Sequence, residues 1–119
     1  MSEAQTSGRE AARELTAFQR NILTVLAEEP RYGLAIKREL ESYYGVEVNH
    51  GRLYPNLDDL VNEGFVEKSA LDKRTNEYAL TDAGVEAVLD GLEWALDKFV
   101  NSPKRGDQIR DIVETAETA

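Results

Sequence analysis

Few side chains in this sequence of 119 residues are suited to chemistry, and most of them fall in one stretch, Asn49-His50-Gly51-Arg52-Leu53-Tyr54-Pro55-Asn56. Arg presents two parallel donors that match the O6/N7 edge of guanine, and Asn matches the N6/N7 edge of adenine. Gly51 has no Cβ and permits close approach of a backbone. Tyr54 can either pack its ring in a core or offer its hydroxyl to a phosphate. Asn56 is a further phosphate candidate, and His50 reads as either a surface residue or a contact to bases. The chemistry within reach is recognition of nucleotide edges and phosphates rather than bond making. His50 is the only histidine and cysteine is absent. A nucleophile–histidine–carboxylate set, a zinc pattern and a glycine-rich phosphate loop therefore cannot be assembled. No enzyme, no metal site and no cofactor is expected, and Asp58 and Asp59, adjacent on a helix, diverge into solvent.

The elements that must position these residues follow from periodicity. Leu53, Leu57, Leu60 and Val61 recur at helical spacing and Gly64 stops the run, which predicts an amphipathic helix beginning near Asn49. Pro55 lies inside it. Gly51 stands four residues earlier, so the carbonyl displaced by the proline ring belongs to the most permissive residue, and the proline costs less than it would in the helix centre. Upstream, "LTAFQRNILTVLAEEP" opens with Thr16 and Gln19 at capping-box spacing and closes at Pro30. "YGLAIKRELESYYG" forms a second helix with Ile36, Leu40 and Tyr43 or Tyr44 on one side and Gly45 as its stop. After Gly64 the period shortens. Two β-capable runs, about Phe65–Ala70 and Glu77–Leu80, flank the polar tip Asp72–Asn76 and predict a hairpin. Thr81 and Asp82 then cap a long helix.

The expected organisation is a partly helical extension over 1–14, with Arg9 and Arg13 one turn apart, a domain over 15–80, a helix over 81–100, and a linker with a short helix over 101–119. The fold class is mainly α (α+β), and helix–helix–helix–hairpin–helix is the order of a winged helix-turn-helix. In that fold the start of the third helix reaches base edges. That answers why Asn, His and Arg open a helix whose other end is leucine-rich.

"RYGLAI", "GRLYPNLDDLVNEGFVE" and "NEYALTDAGVEAV" together resemble the PadR family of transcriptional regulators in its short form, with a single C-terminal dimerisation helix. The resemblance spans roughly residues 15–100. It implies DNA contact by Asn49, His50, Gly51, Arg52, Tyr54 and Asn56 of the recognition helix, by Lys73, Arg74 and Thr75 at the wing tip, and by Arg31 and Tyr32 at the start of helix two. Gln19, Arg20, Lys37 and Arg38 are lesser candidates. A wing arginine suits a narrow A·T-rich minor groove. The sequence departs from the family in having Asn49-His50 where Ser is common, and Asp58-Asp59 where a cation is common.

The helix 81–100 carries two apolar faces. Val85, Val88, Leu89, Leu92, Leu96 and Phe99 form one; Trp94 lies opposite, near Ala87 and Gly91. If one face covers the wing domain, the other needs a partner, which predicts a homodimer through Ala87, Gly91, Trp94, Lys98, Ile109 and Ile112. Two-fold symmetry in turn predicts a pseudo-palindromic, A·T-containing operator in double-stranded DNA.

Charge complicates this reading. The formal net charge is −9, and the cations are nine Arg but only five Lys. Acidic excess with lysine depletion resembles proteins of a salt-rich cytoplasm. Together with the motifs above, it makes the chain similar to haloarchaeal oxidative-stress regulators of the family, and that resemblance implies a role in oxidative-stress response. Without thiols, such a response would have to be indirect. K+ or other ions bridging carboxylates and phosphates would let an acidic protein hold DNA, since 1 M salt screens over only ~3 Å. The alternative is an acidic winged-helix interaction module that binds protein and not DNA. Apolar runs are short and the N-terminus is polar, so no membrane span or signal peptide is expected and the protein is placed in the cytoplasm.

Overall fold

The computed structural model of the chain describes residues 10–119. Arg9 of the expected Arg9–Arg13 pair lies outside them. Residues 10–13 are helical. The elements that follow are α1 (Ala17–Glu28), β1 (Arg31–Tyr32), α2 (Gly33–Tyr44), α3 (His50–Asn62), β2 (Val66–Ala70), β3 (Asn76–Leu80), α4 (Asp82–Phe99) and α5 (Pro103–Thr118). The described chain forms two compact units, one reaching to Leu89 and the other Asp90–Ala119, with the boundary inside α4. Among the described residues no helix is long and apolar enough to cross a membrane.

Local chemistry accounts for most boundaries. Thr16 caps α1: its hydroxyl accepts from the Gln19 N–H (3.1 Å), and the Gln19 amide oxygen accepts from the Thr16 N–H (3.1 Å). Such a reciprocal cap stabilises a helix by about 1 kcal/mol. Gly45 ends α2 at φ 73, in the left-handed region where a side chain would be strained. Thr81 ties the end of the wing to the end of α3. Its hydroxyl donates to the Gly64 carbonyl (2.6 Å) and accepts from the Gly84 N–H (3.1 Å).

One core serves the first unit. Phe18, Ile22, Leu23 and Leu26 of α1, Ile36 and Leu40 of α2, and Leu53, Leu57 and Leu60 of α3 are buried together with Phe65, just before the sheet, and Val66 and Tyr78 within it. That is the pattern expected of amphipathic helices folded over a hairpin.

Three features differ from the sequence-based expectation. The sheet has three strands in the order β1-β3-β2, all antiparallel, because Arg31 and Tyr32 pair with Tyr78 and Glu77 before α2 begins. A two-residue strand has no periodicity to detect; the free edge of β3 creates it. "NSPKRG" is not a linker throughout, since Ser102 caps α5 (Arg105 N–H to Oγ, 3.3 Å) and Pro103 occupies its first turn. The face of α4 that enters the core is also not the one expected. Gly84 and Ala87 are buried and Val88 packs against them, whereas Val85 and Leu89 are exposed. Ala87 therefore belongs to the core of its own chain and not to a dimer interface.

Glycine substitutions test the two ends of this architecture. A Cβ on Gly84 would stand 2.2 Å from the Phe65 carbonyl oxygen, whereas one on Gly106 would meet nothing nearer than 3.6 Å. Gly84→Ala should destabilise by about 1–3 kcal/mol. Gly106→Ala, in a helix with room for the methyl, should stabilise by up to about 1 kcal/mol. Thermal unfolding of both variants should move in opposite directions; equal shifts would contradict the packing at Gly84.

Candidate nucleic-acid interface

The start of α3 is built around a cap. The Asn49 side-chain oxygen accepts from the Gly51 N–H (2.6 Å), and a Cβ at Gly51 would press to 3.1 Å from that oxygen. Gly51 thus makes room for the cap. His50 is exposed and its ring lies 4.3 Å from that of Tyr54, tilted by 37°. Arg52 is exposed, and its guanidinium carbon lies over the Phe18 ring, 3.9 Å from the centroid. Stacking of this kind restricts the side chain while leaving its edge donors free. Asn56 is engaged at both ends: its amide donates to the Arg52 carbonyl (2.8 Å), and its oxygen accepts from Gln19 Nε2 (3.1 Å). Two of the sequence candidates therefore bind each other rather than standing free.

The wing tip is organised by Asp72, whose Oδ1 accepts from the N–H groups of Arg74 (2.8 Å) and Thr75 (2.9 Å). The Arg74 N–H, with help from Thr75, holds the Asp72 carboxyl below its ordinary range. This closed turn presents the Lys73 and Arg74 side chains to solvent.

Between the wing and the helices lies a cavity of about 460 Å³, lined on one side by Tyr32, Gly33, Leu34 and Tyr54 and on the other by wing residues and Tyr78. Tyr54 is half-buried, and its hydroxyl lies so near Gly33 that a Cβ there would sit 2.3 Å from it. The hydroxyl is therefore directed at the first turn of α2, between the two outcomes, core or phosphate, that the sequence left open. Burial pushes the Tyr78 phenol up, with Asp58 and Tyr54 adding to the shift, so it remains protonated. The position of Phe18 under Arg52 and that of Tyr78 near Tyr54 leave no local signal in the sequence.

Arg31 is the clearest correction. Its side chain is mostly buried and paired with Glu28, and its Nη1 lies 3.8 Å from Glu29 and 3.7 Å from Glu39. A guanidinium committed to three carboxylates is not a phosphate contact. Tyr32, its neighbour, does line the cavity. Among the lesser candidates, Lys37 pairs with Glu41 (2.8 Å) and Arg20 donates to the Ala12 carbonyl (2.8 Å), while Arg38 is exposed. In the C-terminal unit Trp94 is 67% exposed, with the Lys98 ammonium 5.9 Å from its ring centroid. Ile112 is exposed and Ile109 and Gly91 are half-exposed. Leu92, Leu96 and Phe99 are also exposed.

Comparison with known proteins agrees with this geometry. A family model described as the transcriptional regulator PadR-like family matches residues 22–89. A structure of RosR from H. salinarum, grown from NaBr, is 70% identical with a TM-score of 0.89, over 90% of this chain and 97% of that one. PadR of Bacillus subtilis, solved in complex with operator DNA, is 26% identical with a TM-score of 0.54, over 64% of this chain and 46% of that one. The transcriptional activator GvpE of Haloferax mediterranei is 29% identical over 79 residues, 66% of this chain; the match spans only 40% of GvpE.

The two arginine environments should separate in stability. Arg31→Met leaves Glu28, Glu29 and Glu39 to repel one another and should lower unfolding free energy by about 1–2 kcal/mol, a value reduced by the exposure of the carboxylates. Lys73→Ala with Arg74→Ala removes solvated charges and should leave the melting temperature nearly unchanged. Equal melting temperatures for the two variants would show that Arg31 is not committed to the carboxylates.

Proposed function

The chain belongs to the PadR-like family of transcriptional regulators, and from that premise we propose that it binds a promoter operator as a homodimer. The observation that carries the proposal is the pairing of an open α3 start with an open wing. Arg52 is held by Phe18 with its donors free, and Lys73 and Arg74 stand on a turn closed by Asp72. Arg52 is assigned to a base edge, with His50 beside it, and the wing to the backbone and minor groove. That a relative, PadR of B. subtilis, was solved in complex with operator DNA supports the operator-binding reading as a whole.

The dimer rests on exposed apolar side chains. Leu92, Leu96 and Phe99 recur along α4 at helical spacing, with Trp94 between them, and Val85 and Leu89 precede them. A soluble monomer rarely leaves so much apolar surface uncovered. Compared with the sequence-based assignment, the interface moves from Ala87 toward these leucines, and Gly91, Trp94, Lys98, Ile109 and Ile112 remain available to it. A two-fold dimer matches a pseudo-palindromic operator.

The acidic charge sets the conditions. The composition fits the haloarchaeal relatives, and we assign K+ or other cations the task of screening carboxylates such as Asp58 and Asp59 from phosphate. The oxidative-stress role follows the sequence resemblance; maps of genomic occupancy with and without peroxide test it.

Binding to the upstream region of its own coding sequence, at moderate and at multimolar KCl, separates this reading from a protein-interaction module. No binding under either condition would favour the module. Leu92→Glu should yield monomers and weaken binding on the order of a hundredfold, because linked half-sites multiply affinity. Arg52→Ala should cost about 1–3 kcal/mol at one base position, while the Lys73→Ala, Arg74→Ala variant should weaken all sequences evenly. Sedimentation of Leu92→Glu as a dimer would refute the interface, and identical specificity profiles for the two cation variants would refute the division of roles.

A further inference from the structure

The Phe18 ring that carries the Arg52 guanidinium is itself held by a second ring. Tyr44, the last residue of α2, stacks against Phe18 with centroids 6.2 Å apart and planes 18° from parallel. Its hydroxyl accepts from Asn21 Nδ2 (2.7 Å). Phe18 and Asn21 stand three residues apart on α1 and so share one face of that helix. Tyr44 is thus fixed at ring and hydroxyl by the same face, and the Tyr43 ring lies against it, 5.5 Å away at 63°.

The backbone of Arg52 is placed by other means. Its carbonyl accepts from Asn56 Nδ2 (2.8 Å), and the Asn56 oxygen accepts from Gln19 Nε2 (3.1 Å). Glu41 ties the turn before α3 to α2, its Oε2 accepting from the Val48 N–H (2.8 Å) and from Lys37 Nζ (2.8 Å). Neither route passes through Tyr44. Loss of the Tyr44 ring would therefore leave α3 in place and loosen only Phe18 and the guanidinium end of Arg52. A loose arginine has many rotamers to surrender before it can align two donors with a base.

We propose that Tyr44 is a positioning residue for base readout: through Phe18 it holds the Arg52 guanidinium in one orientation, so a residue outside the recognition helix determines how sharply that helix discriminates. The proposal rests on the assignment of Arg52 to a base edge. Aromatic faces suit the task because they restrain a guanidinium without occupying its donors. Carboxylates would occupy them, as Glu28, Glu29 and Glu39 do at Arg31.

Binding to the upstream region and to duplexes carrying single base-pair substitutions tests this. Tyr44→Ala should lower discrimination about two- to tenfold at the base position where Arg52→Ala acts, and leave the other positions unchanged. In an Arg52→Ala background the same substitution should change discrimination no further. Tyr44→Phe keeps the ring and should keep discrimination within about twofold of wild type. In the free protein the Arg52 Nε–H resonance carries the ring-current shift of Phe18, which should shrink in Tyr44→Ala and persist in Tyr44→Phe. A merely structural tyrosine would instead lower the melting temperature and weaken all duplexes evenly, which would overturn the proposal. So would an unmoved Arg52 resonance in Tyr44→Ala, or equal losses in Tyr44→Phe and Tyr44→Ala. Each of these leaves the readout by Arg52 intact. If Tyr44→Ala fails to fold, Tyr44→Leu carries the same measurements. Unchanged base preferences in Arg52→Ala alone would overturn the readout assignment, and with it the role given to Tyr44.

Discussion

Burial of one leucine stripe on α3 is the constraint on which the rest depends. Leu53, Leu57 and Leu60 have no exposed surface, and burying three such side chains contributes several kcal/mol, roughly 1.5–3 each. That fixes the rotation of α3 about its axis. Once the stripe faces α1, α2 and the sheet, Asn49, His50 and Arg52 have to open outward at one end, and Asp58 and Asp59 along the outer side. Pro55 lies one turn past the start of α3, and the carbonyl it leaves without a helical donor belongs to Gly51, in the first turn.

Arginine placement shows how environment overrides residue type. Arg31, Arg52 and Arg74 are equivalent in sequence terms, each near a segment expected to meet phosphate. β1 pairing draws Arg31 inward among Glu28, Glu29 and Glu39. An aromatic face holds Arg52 without occupying its donors, and a closed turn presents Arg74. In a chain of net charge −9, cations paired internally, as Arg31 is, are not free for an outside anion.

Much of the fold was legible because its signals are local. The Thr16–Gln19 box and Gly45 and Gly64 as stops act through neighbours within a few residues, and each lies where the sequence put it; the polar tip does too, except that Asn76 already belongs to β3. The exposure of Asn49, His50 and Arg52 at the start of α3 was legible for the same reason. What the sequence could not determine are contacts made across the fold. Arg31 stands beside Tyr32 in the chain, but only the edge of β3 turns one to the carboxylates and the other to the cavity. The two apolar faces of α4 have similar content, and only the fit of Gly84 beneath the Phe65 carbonyl selects Ala87 for the core. Phe18 under Arg52, and Tyr78 beneath the wing, are pairings between residues 34 or more positions apart or between separate elements. No periodicity encodes them, because they arise only when the leucine stripe of α3 has already brought the elements together.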